Sequence, residues 1–168
     1  MKAAVSKLSN GIRFTENLYN QCHIATMELP KEKRENMDIL LEKLAYQFHD
    51  KPLLIGGVAM EYYGLRKAGA DIDLVISLRD HENLKRQYPD HIKDLYGDIG
   101  ICEFDFEIWN QICRFDYEEL KVGAIEEPAL LIISLDRLLF LKTLAIKKEK
   151  YYKDVLLLVD EILRRKYA

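Results

Sequence analysis

The chain has 168 residues, of which 49% are hydrophobic and 32% are charged, and its net charge is −3 at pH 7. This length and composition predict one soluble globular domain that is large enough to bury a hydrophobic core. The absence of a basic excess argues against bulk binding to nucleic acid or to an anionic membrane. A local basic site is still compatible with this net charge.

The cysteines, the histidines and the apolar runs exclude several other classes. Cys22, Cys102 and Cys113 have no CxxC spacing, so we expect reduced thiols and not a disulfide framework. The four histidines form no HxxxH or HExxH pair, which argues against a zinc site. The longest apolar run, "ALLIISL", is too short to span a bilayer, and the first residues do not read as a signal peptide. The sequence therefore predicts a cytoplasmic protein without a membrane span.

The first part of the chain, residues 1–49, predicts an N-terminal helical segment. Pro30 suits the first turn of a helix over residues 30–50, "PKEKRENMDILLEKLAYQFHD". The helical spacing of apolar residues supports this prediction, with one stripe formed by Ile39, Leu40, Leu44 and Phe48.

Residues 50–133 predict an α/β core. A short buried strand, "KPLLIGG", is followed by a short helix, "VAMEYYGL", for which Gly64 is the expected stop. The strand "DIDLVIS" and the polar surface helix "RDHENLKRQYP" come next. A later strand, "ICEFDFEIWNQ", alternates between an apolar face and an acidic face that carries Glu103, Asp105 and Glu107.

Residues 134–168 predict a pair of helices that packs on this core as part of a single compact domain. Ser134 is a suitable N-cap for the helix "LDRLLFLKTLAIKK". The helix "YYKDVLLLVDEILRRKY" follows, and its inward residues are expected to be Val155, Val159, Ile162 and Leu163. The element order predicts the α/β (α+β) fold class, with a small sheet flanked by helices.

Two aspartates open the strand "DIDLVIS" and point to the same side. Residues two apart on a strand share a face and lie roughly 6.6–6.8 Å apart. The carboxylates of Asp71 and Asp73 therefore repel each other, which raises a pKa or requires a cation. Oxygen ligands favour Mg²⁺ or Mn²⁺ over Zn²⁺, and two such ions can clamp the attacking and leaving oxygens of a phosphoryl transfer.

A metal site of this kind needs a further carboxylate from a neighbouring strand. Asp105 lies at the centre of the acidic face of "EFDFE" and is the predicted ligand. Glu103 and Glu107 share the predicted face and are the alternatives.

The residues before the aspartates fit a phosphate site. Gly56 and Gly57 have no Cβ to obstruct a phosphate, and the following helix presents free N–H groups at its positive end. Arg66 follows that helix, where a fixed cation can hold triphosphate oxygens. A D-x-D pair alone is common on surface strands, and a Gly–Gly turn alone is common between a strand and a helix. It is their conjunction that favours a functional site.

The pattern resembles the nucleotidyltransferase superfamily with the DNA polymerase beta-type fold. The likeness is strongest to the AbiEii-like and minimal nucleotidyltransferases, which include toxin–antitoxin enzymes, and it covers roughly residues 50–165. The motif GG-x-A-x-x-x-x-G-x-R with a following D-[IV]-D is matched here by Gly56, Gly57, Ala59, Gly64, Arg66, Asp71 and Asp73. The tail of this branch is similar to "ISLDRLLFLKTLAIKKEKYYKDVLLLVDEIL", in which the matching residues are Lys142, Lys153 and Asp154.

The resemblance implies a small mixed sheet and a metal-dependent reaction. A nucleoside monophosphate would move from an NTP to an acceptor hydroxyl, with Mg²⁺ or Mn²⁺ bound and pyrophosphate released. The implied acceptor is open among RNA, a protein and a small molecule. The implied metal ligands and catalytic residues are Asp71, Asp73 and Asp105, of which the last also helps to deprotonate the acceptor. The implied nucleotide-binding residues are Gly56, Gly57, Arg66 and Lys142.

Two positions depart from the family pattern. Gly57 stands where many members have Ser, and Gly69 stands near the place where many have Thr. Both changes remove a phosphate contact, so a catalytically degenerate module that binds a protein is the alternative function. Haloacid-dehalogenase-type phosphatases place D-x-D at the end of a strand, and sugar-nucleotide glycosyltransferases have a larger domain without the Gly–Gly turn, so both fit less well.

Overall fold

The structure is a computed structural model that describes residues 41–95 and 97–167. Within these residues, a mixed sheet of seven strands is flanked by helices. In chain order the elements are β1 (Leu53–Leu54), α1 (Gly56–Tyr62), β2 (Ile72–Val75), α2 (Leu78–Gln87), a 3-10 turn (Pro89–His91), β3 (Ile92–Leu95), β4 (Asp98–Glu103), β5 (Phe106–Trp109), β6 (Gln111–Ile112), β7 (Phe115–Asp116), α3 (Tyr117–Leu120), β8 (Ile125–Glu126), β9 (Leu131–Ile132), α4 (Leu135–Leu144) and α5 (Glu149–Tyr167).

The sheet has the strand order β3-β4-β5-β2-β1-β9-β8, and β6 pairs with β7 in a separate hairpin. Two pairs are parallel, β1 with β9 and β2 with β5, and the other pairs are antiparallel. The predicted fold class is therefore confirmed, including the mixed sheet and the C-terminal pair of helices.

One face of the sheet forms the hydrophobic core. The β2–β5 register places Ile72 beside Phe106 and Leu74 beside Ile108, and the last three of these side chains are almost fully buried. A small cavity of about 50 Å³ lies on this face, where Ile72, Leu74 and Phe106 line it. Val58, on α1, and Leu41, before β1, line the same cavity and therefore pack on this face. Since side chains alternate along a strand, residues 73 and 107 face the opposite side.

The helix α1 ends at the predicted glycine. Gly64 has a φ of 72°, a left-handed conformation that suits glycine. Its N–H donates to the carbonyl of Glu61, and the N–H of Leu65 donates to the carbonyl of Met60. This pair of bonds is the Schellman arrangement, which satisfies the last carbonyls of the helix and turns the chain towards Arg66.

The helix predicted over residues 30–50 is wrong at its carboxyl-terminal end. Leu41 and Glu42 are helical, but Ala45 has a φ of 46° and the chain continues without regular structure to residue 50. Residues 30–40 of this prediction, with Ile39 and Leu40, lie outside the described residues. Leu44 of the predicted stripe is buried in the core, and Phe48 is half-buried.

A buried carboxylate explains why the chain leaves the helix here. Asp80 is fully buried, and it accepts hydrogen bonds from the N–H of His49 at 3.1 Å, the N–H of Asp50 at 3.1 Å and the hydroxyl of Tyr46 at 2.8 Å. The hydroxyl of Ser77 also donates to it at 3.0 Å. A continuous helix would have committed the two backbone N–H groups to its own carbonyls.

The single strand predicted at "ICEFDFEIWNQ" is also wrong. It is a hairpin, in which β4 ends at Glu103, Phe104 and Asp105 form the turn, and β5 begins at Phe106. Phe104 has a φ of 52° and is exposed, which breaks the alternation that the sequence suggested. The hairpin pairs Glu103 with Phe106, so Glu103 shares the core face and not the face of Glu107.

The two C-terminal helices confirm their prediction. Ser134 caps α4 by accepting from the N–H of Arg137 at 3.4 Å, and α5 extends over 19 residues. Within α5, Leu158 is fully buried, whereas Leu163 is exposed, so the predicted inward position of Leu163 is wrong. In the described part of the chain, no helix combines the length and apolar content that a bilayer span requires. Cys102 and Cys113 are free thiols, and Cys22 lies outside the described residues.

The variant Asp80→Ala is expected to lower the free energy of unfolding by about 3 kcal/mol, because it leaves several donors without an acceptor. Chemical denaturation at pH 7 measures the change. Burial raises the pKa of Asp80, but the hydrogen bonds from His49, Asp50 and Tyr46 outweigh it and lower the pKa to about 2. The stabilisation is therefore present above the unfolded-state pKa of about 3.9 and is lost as the pH falls through about 2. The control Asp90→Ala removes an exposed acid, and equal losses in the two variants would contradict this account.

Candidate acidic site at Asp73 and Glu107

The parallel pairing of β2 with β5 brings two carboxylates together. Asp73 and Glu107 are register partners, and neighbouring strands lie about 4.8 Å apart, so the two side chains project side by side from one face. Asp71, two residues before Asp73, shares this face and is exposed. Asp73 and Glu107 are half-buried. We call Asp71, Asp73 and Glu107 the acidic triad.

Two members of the acidic triad, Asp73 and Glu107, have pKa values that are raised above their ordinary values. Burial raises the pKa of Glu107, and the nearby charges of Asp73 and Asp71 raise it further. Burial also raises the pKa of Asp73, and the Asp71 charge adds to this, against the opposing effects of the Gly57 N–H and Lys142. The pKa values of Asp73 and Glu107 are raised for the same reason: the half-buried site holds more negative charge than the nearby positive charges neutralise.

The acid that the structure places beside Asp73 differs from the one that the sequence predicted. Asp105 was predicted at the centre of a strand's acidic face, and that placement is wrong because Asp105 lies exposed in the β4–β5 turn. Its backbone carbonyl accepts from the N–H of Ile72 at 2.8 Å, and the register partner of Asp73 is Glu107. The other alternative, Glu103, lies on the opposite face, where its carboxylate is close to the ring of His91. Sequence reasoning missed the turn between Glu103 and Phe106 because apolar and polar residues alternate through it as they would along one strand.

The Gly–Gly turn lies directly against Asp73. Gly56 has a φ of 66°, and a Cβ at this position would lie 1.7 Å from the Asp73 Oδ2. The N–H of Gly57 donates weakly to the same oxygen at 3.4 Å, and the N–H of Ile55 donates to the Asp73 backbone carbonyl at 3.0 Å. In the structure the first glycine thus makes room for a carboxylate, a role that sequence reasoning missed. The predicted phosphate-binding role of Gly56 and Gly57 stays a prediction.

Both predicted nucleotide-binding cations contact a buried carboxylate. Arg66 donates from Nε to Asp154 Oδ1 at 2.6 Å and from a terminal nitrogen to Oδ2 at 2.9 Å. Lys142 Nζ lies 2.9 Å from the same Oδ2. Lys142 and Asp154 are almost fully buried. Burial would raise the pKa of Asp154, but the two cations outweigh it and lower the pKa.

This contact joins three parts of the chain. Arg66 follows α1, Lys142 lies on α4 and Asp154 lies on α5, so one carboxylate ties the two C-terminal helices to the segment before β2. Lys142 is also close enough to Asp73 to lower its pKa, which places the ion pair next to the acidic triad. The sequence offers one signal for the burial of Asp154: it lies four residues before Leu158, so both residues occupy the same, buried side of α5.

The chemistry of the acidic triad suits a divalent cation. Its donors are oxygen atoms only, and its mutual repulsion is what a hard cation such as Mg²⁺ or Mn²⁺ would relieve. Within residues 41–95 and 97–167, no three Asp, Glu, His or Cys side chains are arranged so that they could hold a metal ion as they stand. Side-chain rotation is therefore required for joint ligation, and the exposed Asp71 has the greatest freedom to rotate.

Comparison of the chain with protein-family models, with curated proteins and with solved structures returned no match. The family resemblance thus stays a prediction that depends on the motif residues. A larger cavity, of about 410 Å³, lies at the start of α4 and is lined by Ser134, Arg137, Phe140 and neighbouring residues, so it does not touch the acidic triad.

The variant Glu107→Gln is expected to raise the thermal midpoint at pH 7 by roughly 2–4 °C, which corresponds to about 1 kcal/mol. A carboxyl group whose pKa is raised by folding destabilises the folded state increasingly as the pH rises from its unfolded-state pKa to its raised folded-state pKa. The increase in the thermal midpoint of Glu107→Gln should therefore be smaller at pH 4. The exposed residue Asp105 provides the control, because Asp105→Asn should leave the midpoint unchanged. A lower midpoint for Glu107→Gln at pH 7 would contradict the electrostatic account.

The two glycines offer a matched pair of variants. Gly56→Ala is expected to destabilise the fold by about 1–3 kcal/mol, because it places a side chain in the left-handed region and displaces the Asp73 carboxylate. Gly57→Ala should be neutral or slightly stabilising, since the atoms nearest to its added Cβ lie 3.8 Å away. Urea unfolding measures both changes, and equal losses would show that the Asp73 contact is not the reason for the first glycine.

Proposed function

We propose that this chain is a metal-dependent nucleotidyltransferase that moves a nucleoside monophosphate from an NTP to an acceptor hydroxyl. The observation that carries the proposal is the pairing of Asp73 with Glu107 on one sheet face, with Asp71 and the Gly56 turn beside them. Half-buried carboxylates at this density are costly to a fold unless they bind a cation, and perturbed acids of this kind concentrate at functional sites.

The acidic triad would hold Mg²⁺ or Mn²⁺, with Asp71 and Asp73 as shared ligands and Glu107 as the third. When bound, the cation supplies charge neutralisation for the phosphate oxygens and orients the reacting groups. The acceptor oxygen forms a bond to the α-phosphorus, and the bond from that phosphorus to the bridging oxygen of the β-phosphate breaks. Pyrophosphate leaves with the electron pair of the broken bond.

The proton of the acceptor hydroxyl needs a base. Glu107 is the proposed base, because it is the half-buried carboxylate that the strand register places beside Asp73. The carboxylate oxygen takes the proton and passes it to solvent, to which Glu107 is partly exposed. The acceptor itself stays open among RNA, a protein and a small molecule.

A second function has one observation in its favour. Arg66 and Lys142 converge on Asp154 and not on the acidic triad, as would suit a module whose charges have a structural purpose. Such a module would bind a protein partner and would not turn over NTPs. An assay of transfer from labelled NTPs distinguishes the enzyme from the binding module.

The test uses each of the four NTPs labelled on the α-phosphate or on the γ-phosphate, with Mg²⁺ or Mn²⁺ and a mixture of cellular RNA and protein as acceptors. We expect the α-label to enter an acceptor and the γ-label to appear in pyrophosphate. Asp73→Asn and Glu107→Gln should each reduce transfer at least about 100-fold, because each removes a charge that acts on the reacting phosphate.

The matched control is Asp105→Asn, which should retain most of the activity. Loss of activity in Asp105→Asn with retention in Glu107→Gln would restore the assignment made from the sequence. Transfer of the γ-label would indicate a kinase, and the absence of any transfer by the wild-type protein would favour the binding module.

A further inference from the structure

The helix α5 carries an apolar stripe that is open to solvent. The stripe consists of four residues at the spacing i, i+4, i+7 and i+11, which are Tyr152, Leu156, Val159 and Leu163. This spacing places them on one face of the helix. Tyr152, Leu156 and Leu163 are 52%, 49% and 37% exposed, and Val159 is half-buried. We call these four residues the α5 stripe.

The α5 stripe is not the side by which α5 packs on the domain. The buried residues of α5 are Asp154 and Leu158, and neither belongs to the stripe. Within residues 41–95 and 97–167, the stripe is therefore an apolar surface that is only partly covered. Its alternating spacing of four and three residues is the pattern that forms the seam between two packed helices in a coiled coil.

The charges at the two ends of the stripe fit a second copy of α5 that runs antiparallel. When Leu156 lies opposite Val159 of the second copy, Tyr152 lies opposite Leu163. One seven-residue repeat further out, Glu149 lies opposite Lys166. Because the pair has two-fold symmetry, each of these contacts occurs twice. The apolar layers are thus closed at both ends by opposite charges.

The flanks of the stripe are complementary in the same register. Lys153 and Asp160 follow Tyr152 and Val159 in the chain, so they lie on one flank, and both are exposed. In the antiparallel pair this flank meets the same flank of the second copy, which sets Lys153 against Asp160. The other flank sets Val155 against Ile162, and both of these residues are apolar and half-buried.

The same charges argue against a parallel pair. In a parallel pair in register, Glu149 would lie opposite Glu149 and Lys166 opposite Lys166, so both ends of the seam would repel. Within one chain, Lys153 lies 2.9 Å from Glu149, and the two side chains are 69% and 81% exposed. An ion pair this exposed contributes little to stability, so both charges can be exchanged for contacts with a second copy.

We propose that the chain forms a two-fold symmetric homodimer in which the α5 stripes of two copies pack antiparallel. The helix is already formed on the folded domain, so the association does not bear the cost of helix nucleation. The stripe extends over about three helical turns, which makes the interface a small one, and we expect a dissociation constant in the micromolar range. This inference does not depend on the proposed transfer of nucleotides.

The experiment measures the mass of the full chain by sedimentation velocity between about 1 µM and about 500 µM, the range in which an interface of this size dissociates. We expect the wild type to pass from monomer to dimer. Asp160→Lys should weaken the dimer at least about 10-fold, because it turns two attractions to Lys153 into two repulsions. The double variant Lys153→Glu/Asp160→Lys should recover most of the affinity. The control is Asp90→Lys, which makes the same charge change at an exposed position outside α5 and should dimerise like the wild type.

A second variant tests the apolar part of the interface. Leu156→Asp should abolish the dimer, because it places a carboxylate in the seam, and it should leave the thermal midpoint of the dilute monomer unchanged, because Leu156 is half exposed. A wild type that stays monomeric throughout the range would overturn the inference and assign the stripe to residues 1–40 or to another protein. A dimer that tolerates Asp160→Lys and Leu156→Asp would overturn it as well, and a double variant that recovers nothing would refute the antiparallel register.

Discussion

The candidate site depends on the parallel register of β2 and β5. This register sets Asp73 beside Glu107, and a shift of either strand by one residue would turn the carboxylate of that strand into the hydrophobic core. The apolar partners on the other face, Ile72 with Phe106 and Leu74 with Ile108, prevent such a shift because their burial would be lost. The core therefore fixes the geometry of the acids, and the fold bears the electrostatic cost of holding them together.

A second buried charge organises the surroundings of the site. Asp154 binds Arg66 and Lys142, and through them it holds the two C-terminal helices next to the segment that leads into β2. Breaking such a cluster on one side leaves an uncompensated buried charge, so the helices and the segment before β2 are coupled. Arg66 and Lys142 thus stabilise the framework around the acidic triad.

Local patterns predicted much of the fold, and long-range contacts explain the errors. Gly64 and Ser134 marked a helix end and a helix start because these signals act over a few residues. The sequence prediction placed Asp105 in a strand because the residues around it alternate between apolar and polar. The chain instead reverses direction at Phe104, so Asp105 lies in a turn. For the site, the D-x-D spacing placed Asp71 and Asp73 on one face, but pairing decided that Glu107 is their neighbour. The ion pairs of Arg66 could not be predicted because Asp154 is 88 residues away along the chain.

The most direct test of the central claim is a crystal structure of the wild-type protein with Mn²⁺ and a non-hydrolysable NTP analogue, in which anomalous scattering locates the metal. We expect an anomalous peak shared by the carboxylates of Asp73 and Glu107, with the phosphates of the analogue in contact with the metal. A peak held by Asp105 without Glu107, or a bound analogue with no metal at the acidic triad, would contradict it.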